Sequence, residues 1–161
     1  MQRVTLLCVG KLSEPFYAGG VAEYAKRLGA LCRFDAVEIA EEPLNEKNAS
    51  AAMAAKALEK EGARLLAALP KSARLVALCV EGKQMTSPAL ADYLREAALS
   101  GQGDVAFVIG SSHGLCDEIK QRADLRLSLS QMTLPHQLAR LVLTEQIYRA
   151  YMIQGGGKYH K

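Results

Sequence analysis

The run LVALCV at residues 75–80 is apolar along its whole length, and it restricts the fold more than any other feature of the sequence. A strand with one face in water alternates apolar and polar residues, whereas a strand inside a parallel sheet is covered on both faces and carries apolar residues on both. Similar runs occur at residues 4–9 and 105–109. The chain is therefore predicted to form a sheet with helices on both faces.

Two further strands complete the predicted sheet. One covers residues 34–39, with Phe34 and Ala36 pointing inward, and the other begins at Leu125, where leucines alternate with polar residues. Residues 81–83 are predicted to turn the chain after the run at 75–80.

Helices are predicted between and after these strands, from apolar residues at helical spacing. They cover residues 14–31, 45–69, 87–99, 116–123 and 135–153. Ser87 is predicted to cap the third helix, and Thr133 or Leu134 the last, each followed by a proline in the first turn. The order βαβαβαβαβα indicates an α/β fold with a mostly parallel sheet.

The composition indicates one domain that spans residues 1–161. Of these residues 50% are hydrophobic, enough to bury a core, and the net charge of +3 permits a nucleic-acid partner without demanding one. The sequence shows no signal-peptide pattern and no apolar run of membrane-spanning length, so a cytoplasmic protein is expected. No metal is expected, because the cysteines lack the spacing of a metal site and are typical of core positions: Cys8, Cys32, Cys79 and Cys116.

A ligand site is predicted where the strands end. In open α/β sheets, ligands bind at the carboxyl ends of the strands, and three such ends stand out, at residues 78–82, 109–114 and 129–134. The glycine-rich patterns of dinucleotide and phosphate sites are missing. Gly110 follows a strand directly, where it either lets a ligand approach the backbone or forms a tight turn.

Three blocks near the end of the chain carry a resemblance to a known family. They are LSQMTLPHQL at residues 129–138, EQIYRA at residues 145–150 and GKYHK at residues 157–161. Together and in this order they resemble the RlmH family of knotted, SPOUT-class methyltransferases, and the resemblance covers essentially the whole chain. It implies an enzyme that methylates N3 of a pseudouridine in large-subunit (23S) ribosomal RNA, on the assembled ribosome, with S-adenosylmethionine as methyl donor.

The resemblance also implies a C-terminal trefoil knot and a cofactor pocket. The knot would thread residues 110–135 through a preceding loop and bring the three strand ends together. The residues that match the family's cofactor positions are Leu78, Gly110, Leu129, Ser130, Gln131, Met132, Thr133 and Leu134. Ser111 departs from the family pattern, which usually has a second glycine there. Without the resemblance, core packing is the simpler interpretation of the large apolar residues in this set.

The C-terminal region is expected to complete the active site. The resemblance implies a homodimer whose site takes residues from both chains, with Arg149, Tyr159 and His160 as candidate catalytic residues near the RNA. The last helix is apolar on two sides, so one stripe can cover its own sheet and the other a partner subunit. His160 can take the proton of the acceptor nitrogen, because histidine titrates near neutral pH, or alignment of the reactants can suffice. On spacing alone, Arg149 forms an exposed pair with Glu145.

The tail at residues 156–161 is expected to be mobile until RNA binds, with Tyr159 stacking on a base and Lys158 and Lys161 contacting phosphates. A frayed, functionless tail is the alternative. Two other functions also stay open: a non-catalytic, ribosome-associated RNA-binding protein with the same fold, and a small-molecule α/β enzyme. Binding of S-adenosylmethionine separates these possibilities.

Overall fold

The computed structural model describes residues 1–101 and 103–160, and its elements alternate along the chain in the predicted order. They are β1 (Arg3–Val9), α1 (Pro15–Leu28), β2 (Arg33–Ile39), α2 (Ala51–Ala68), β3 (Arg74–Gln84), α3 (Ser87–Leu99), β4 (Val105–Ile109), α4 (Asp117–Arg122), β5 (Leu125–Ser128) and α5 (His136–Gln154). The strands form one sheet in the order β2-β1-β4-β3-β5, and all pairings between them are parallel. The predicted α/β fold with a parallel sheet is confirmed.

Helices cover both faces of this sheet. On β1, Val4 and Leu6 join a core with residues of α1, α3 and α5, whereas Leu7 and Val9 join a second core with residues of α2 and α4. Successive side chains of a strand point to opposite faces, so each central strand contributes to both cores. This two-sided burial explains the unbroken apolar runs in the sequence.

The edge position of β2 makes one prediction wrong. Ala36 is exposed rather than inward, and Val37 is 38% exposed, while Phe34 is half-buried as part of the first core. Because β2 pairs with β1 alone, fewer elements cover its faces than cover the central strands.

The starts of two helices also differ from the predictions. α2 begins at Ala51 rather than residue 45, because the Ser50 hydroxyl accepts a hydrogen bond from the Met53 N–H at 3.2 Å. α3 is capped by Thr86 rather than Ser87, through a 3.2 Å bond from the Ala89 N–H to the Thr86 hydroxyl. In each case a hydroxyl satisfies a free N–H of the first turn.

β3 is longer than predicted and pairs with β5 in two registers. The predicted turn at residues 81–83 is wrong, since the strand continues through it. A register shift brings Lys83 opposite Leu127, which Leu78 also faces. A Cβ on Gly82 would lie 2.8 Å from the backbone of β5, so the glycine permits this close approach of the two strands. The knot that the resemblance implies involves this region and stays a prediction.

α5 packs between α1 and α3 on one face of the sheet. Leu143 and Ile147 are fully buried against the sheet, while Leu141 packs so closely on Gly20 of α1 that a Cβ there would lie 2.7 Å away. The apolar stripe predicted for a partner subunit is therefore partly covered by the chain itself. Pro135 precedes the helix at the N-cap position without a side-chain cap, so the predicted caps, Thr133 and Leu134, are wrong.

Candidate functional site

One cavity of about 730 Å³ lies beside β3 and at the carboxyl ends of β4 and β5. Its walls come from residues 78–81 of β3, from the loop after β4 and from the segment between β5 and α5. Seven of the eight residues predicted to bind the cofactor line it: Leu78, Gly110, Leu129, Ser130, Met132, Thr133 and Leu134. Gln131 is exposed and does not line the cavity. The structure thus brings together three segments that are far apart in sequence.

The loop at residues 110–114 forms one wall and is shaped by two glycines. The Gly114 N–H donates to the Ser111 carbonyl oxygen at 2.9 Å, and Gly114 has φ +88°, in the left-handed region. A Cβ on Gly110 would lie 2.1 Å from the Gly114 carbonyl oxygen. Gly110 is therefore required by the loop's own backbone, which favours the tight-turn interpretation of this residue.

The segment between β5 and α5 is folded by serine hydroxyls. Ser128 Oγ donates to the Ser130 carbonyl oxygen, and the Met132 N–H donates to Ser130 Oγ, both at 3.0 Å. Such local bonds from side chain to backbone favour turns over regular structure. They leave Met132 79% exposed at the cavity mouth. His136, the first residue of α5, also lines the cavity.

A charged pair lies on the cavity wall. Lys120 Nζ of α4 is 2.6 Å from Glu81 Oε1 of β3, and both residues line the cavity. The hydrogen bond from Lys120 lowers the pKa of Glu81, and the same bond raises the pKa of Lys120, so both groups are charged at neutral pH. Glu81 lies within the strand end predicted at residues 78–82 but is not among the residues matched to the cofactor, whereas Lys120 lies outside the predicted site because α4 carries no recognisable motif.

A second group of polar residues, here called the tyrosine cluster, lies toward the other end of α5 and comprises Tyr24, Glu145, Tyr148, Arg149 and Tyr159. Arg149 Nη2 lies 2.6 Å from Glu145 Oε1, and the Arg149 guanidinium carbon lies 4.7 Å from the centre of the Tyr159 ring. The Tyr159 hydroxyl donates to Glu145 Oε1 at 3.1 Å. Since only 17% and 25% of the Glu145 and Arg149 side chains are exposed, the prediction of an exposed pair is wrong.

The tail is packed on the chain as far as Tyr159. That ring meets Tyr148 edge-on at 4.9 Å, and its hydroxyl lies 3.4 Å from that of Tyr24. The hydrogen bond with Tyr24, followed by burial and Glu145, raises the pKa of Tyr159, so the phenol stays protonated at neutral pH. His160 is exposed, and Lys161 lies outside the described residues. The predicted free tail is thus wrong at Tyr159.

The predicted catalytic residues do not reach the cavity of their own chain. His136 lines the cavity and Arg149 lies further along the same helix. An α-helix rises about 1.5 Å per residue, so roughly 20 Å separates these two positions. Cavity and tyrosine cluster form two separate sites in one chain.

Within residues 1–101 and 103–160, no group of three or more His, Cys, Asp or Glu side chains could hold a metal ion. None of the helices there combines the length and the apolar character needed to cross a membrane.

Comparison with known proteins decides the family. The family described as Predicted SPOUT methyltransferase matches residues 2–160. Proteins named ribosomal RNA large subunit methyltransferase H, from Streptococcus uberis and from Lactococcus lactis subsp. cremoris, are each 45% identical over 159 residues, which cover 99% of this chain and 99% of the relative. The chain belongs to the SPOUT methyltransferase family. The resemblance carried by the three C-terminal blocks is thereby confirmed.

A solved structure supports the same fold for this SPOUT methyltransferase. The crystal structure of a probable methyltransferase from Bordetella pertussis Tohama I superposes with a TM-score of 0.58 at 20% identity, covering 93% of this chain and 96% of that one. At this identity the likeness concerns the fold alone.

The cavity fits S-adenosylmethionine, the methyl donor that membership of the SPOUT methyltransferases implies. Its volume lies in the usual range for small-molecule sites, roughly 300–1,000 Å³. Leu78, Leu129 and Leu134 offer apolar surface for an adenine ring, and the surrounding loops offer backbone hydrogen-bonding groups. Glu81 and Lys120 place one charge of each sign on the wall, which matches the ammonium and carboxylate of the methionyl part.

Proposed function

We propose that this SPOUT methyltransferase methylates N3 of a pseudouridine in large-subunit ribosomal RNA, on the assembled ribosome and hence in the cytoplasm. The observation that carries the proposal is the cavity beside β3, β4 and β5, which is lined by seven of the eight residues that match the family's cofactor positions. The name that the 45% identical relatives bear supports the RNA substrate.

The methyl transfer requires little of the protein beyond correct positioning of the methyl donor and the acceptor base. S-adenosylmethionine supplies a methyl group on a sulfonium sulfur, a good leaving group, so the transfer needs no metal. The chain must hold the acceptor base in line with that methyl group at near-contact distance, which is the main source of rate enhancement here. It must also provide a path for the proton that leaves the acceptor nitrogen.

The tyrosine cluster and the adjoining tail are suited to hold the RNA. Arg149 is fixed by Glu145 and Tyr159, so its guanidinium is preorganised for a phosphate. Tyr159 keeps its proton, so it acts as a donor or stacking ring rather than as a base. His160 is exposed beside it and is the residue that we assign to accept the proton.

We further propose that two chains complete each active site. Along α5, His136 at the cavity lies roughly 20 Å from Arg149 in the tyrosine cluster, and the predicted catalytic residues Arg149, Tyr159 and His160 do not line the cavity of their own chain. A homodimer removes this obstacle if the cluster of one chain faces the cavity of the other. Phe16, which is 66% exposed on α1 beside α5, offers apolar surface for such an interface.

The proposed function is tested by methyl transfer from labelled S-adenosylmethionine. Assembled ribosomes, isolated large subunits, isolated small subunits and protein-free ribosomal RNA are compared as substrates, all from cells that lack the modification. We expect one methyl group per large-subunit RNA, on a pseudouridine identified by nucleoside mass spectrometry, and most efficiently in assembled ribosomes. Incorporation only into small subunits would contradict the proposal.

The two other candidate functions give different results in the same experiment. A non-catalytic RNA-binding protein binds ribosomes without incorporating methyl groups and without binding S-adenosylmethionine in calorimetry. A small-molecule methyltransferase binds the donor but leaves every ribosomal substrate unlabelled.

A further inference from the structure

Behind the 110–114 loop lies a buried carboxylate that the proposed mechanism does not use. Glu61 of α2 is only 3% exposed. Its Oε1 accepts a hydrogen bond from Ser111 Oγ at 3.0 Å, and its Oε2 accepts one from the Glu42 N–H at 2.9 Å. Burial of a carboxylate is unfavourable unless donors satisfy it, so both bonds are strongly maintained.

We propose that Ser111 is a positioning residue, which Glu61 holds so that the cavity wall is set for S-adenosylmethionine before the ligand arrives. The inference rests on the proposed function, because it takes that ligand as the occupant of the cavity. Ser111 lines the 730 Å³ cavity and also a second cavity of about 300 Å³ that Glu61 lines. Ser111 therefore lies in the wall that separates the two cavities.

The Ser111–Glu61 bond connects the loop to the rest of the protein. The bond from Gly114 to Ser111 shapes the loop internally, and Ser112 Oγ contacts only its neighbour His113. Within residues 1–101 and 103–160, Ser111–Glu61 is the only side-chain hydrogen bond that ties residues 110–114 to another element. Loss of this bond removes the side-chain hydrogen bond that ties the loop to α2.

Glu61 is itself held by a network that reaches the surface. Its partner Glu42 forms ion pairs with Lys60 at 3.2 Å and with Arg64 at 2.5 Å. Lys60, Glu61 and Arg64 lie on the same helix, so the segment after β2 is fastened to α2 on both sides of Glu61. A carboxylate held in this way provides a fixed anchor, and a fixed wall reduces the ordering cost of ligand binding.

The test compares the affinity for S-adenosylmethionine, by calorimetry, of wild-type protein, Ser111→Ala and Glu61→Gln. Matched controls are Ser72→Ala and Glu59→Gln, which make the same changes at exposed positions, Glu59 on the same helix. We expect about a 10-fold weaker affinity for each buried variant, since each loses a charge-assisted hydrogen bond, and changes below about twofold for the controls. Thermal unfolding establishes that every variant is folded.

Two further readouts separate positioning from a merely structural role. Hydrogen exchange at residues 110–114 of the free protein should be faster in Ser111→Ala than in wild type, while exchange in the core strands is unchanged. The double variant Ser111→Ala with Glu61→Gln should lose clearly less affinity than the product of the single losses, because Ser111→Ala removes and Glu61→Gln weakens the same bond. If Glu61→Gln does not fold, Ser111→Ala against Ser72→Ala decides alone.

Wild-type affinity in folded Ser111→Ala protein would overturn the proposal, as would fully multiplicative losses in the double variant. Those results would leave the proposed function intact, because the wild-type protein still binds the donor. Failure of the wild-type protein to bind S-adenosylmethionine is a different outcome, which contradicts the proposed function and the positioning role together.

Discussion

Gly110 occupies a position where the backbone leaves no room for a side chain. We expect Gly110→Ala to lower the free energy of unfolding by about 1–3 kcal/mol and to abolish cofactor binding, because the 110–114 loop must open to make room for the alanine side chain. Gly19→Ala is the matched control, since Gly19 lies exposed inside α1 with nothing near its Cβ position. That change should stabilise the protein by roughly 0.5–1 kcal/mol. Urea unfolding measures both effects, and unchanged stability in Gly110→Ala would contradict this role.

The cysteines should be nearly inert in the folded protein. Burial raises the pKa of Cys8 to about 12 and that of Cys32 to about 11, so almost no reactive thiolate is present near neutral pH. We expect a disulfide reagent to label Cys79, which is half-buried, before these two, and to label all cysteines after unfolding. Mass spectrometry of timed samples locates the labels. Rapid labelling of Cys8 in folded protein would contradict its place in the core.

At the scale of elements, the close approach of β3 to β5 depends on Gly82. Because a Cβ there would lie 2.8 Å from the β5 backbone, we expect Gly82→Ala to cost about 1–3 kcal/mol of stability. Gly103→Ala is the control, since its Cβ would meet only ordinary contacts at 3.9 Å. Urea midpoints compare the two variants. Equal urea midpoints would show that β3 and β5 can move apart at Gly82 without loss of stability, which would contradict this role of the glycine.

The tail contributes to stability as well as to the proposed RNA site. Removal of residues 156–161 should cost about 0.5–1.5 kcal/mol, because the Tyr159 ring packs against Tyr148 and Arg149. Cofactor affinity should stay within about twofold, since the tail is remote from the cavity, while methyl transfer should be lost. Tyr159→Phe, which keeps the ring, should retain most of this stability. Full methyl transfer by the truncated protein would exclude the tail from the active site.

The order of elements could be predicted from the sequence because it follows from local patterns of apolar residues. The edge position of β2 could not be predicted, since apolar residues such as Ala36 and Val37 occur in the sequence of an edge strand and of a central strand alike. The continuation of β3 through Gly82 depends on pairing with β5, which comes much later in the chain. The sequence also could not decide whether Thr86 or Ser87 caps α3, because the two residues are adjacent and both carry a hydroxyl.

The candidate site was predictable to the extent that strand ends and motifs define it. Leu78, Gly110 and residues 129–134 follow from the ends of the strands together with the family resemblance. Glu61 and Lys120 could not be found in this way, and Glu81 only as a member of the strand end at residues 78–82, because each gains its significance from a partner on another element. The packing of Tyr159 on α5 likewise could not be predicted, since three glycines before it suggest a free tail.

For the whole molecule, the proposed homodimer predicts a concentration-dependent mass. Sedimentation at micromolar concentration should give twice the mass of one chain, and Phe16→Glu should shift it toward the monomer, because a charge in an apolar interface is unfavourable. Leu99→Glu is the control, since Leu99 is 80% exposed at the end of α3, away from α1. A monomer throughout the micromolar range in wild-type protein would contradict the dimer.

The central claim is that the cavity of one chain and the tail of its partner form one active site, and mixed dimers test it most directly. Leu134→Arg blocks the cavity, and removal of residues 156–161 disables the tail, so each variant alone should be inactive in methyl transfer to ribosomes. After equal amounts are unfolded and refolded together, half of the dimers are mixed and each has one intact shared site, so about one quarter of wild-type activity should return. Absence of recovered activity, with mixed dimers demonstrated by mass spectrometry, would contradict the shared site.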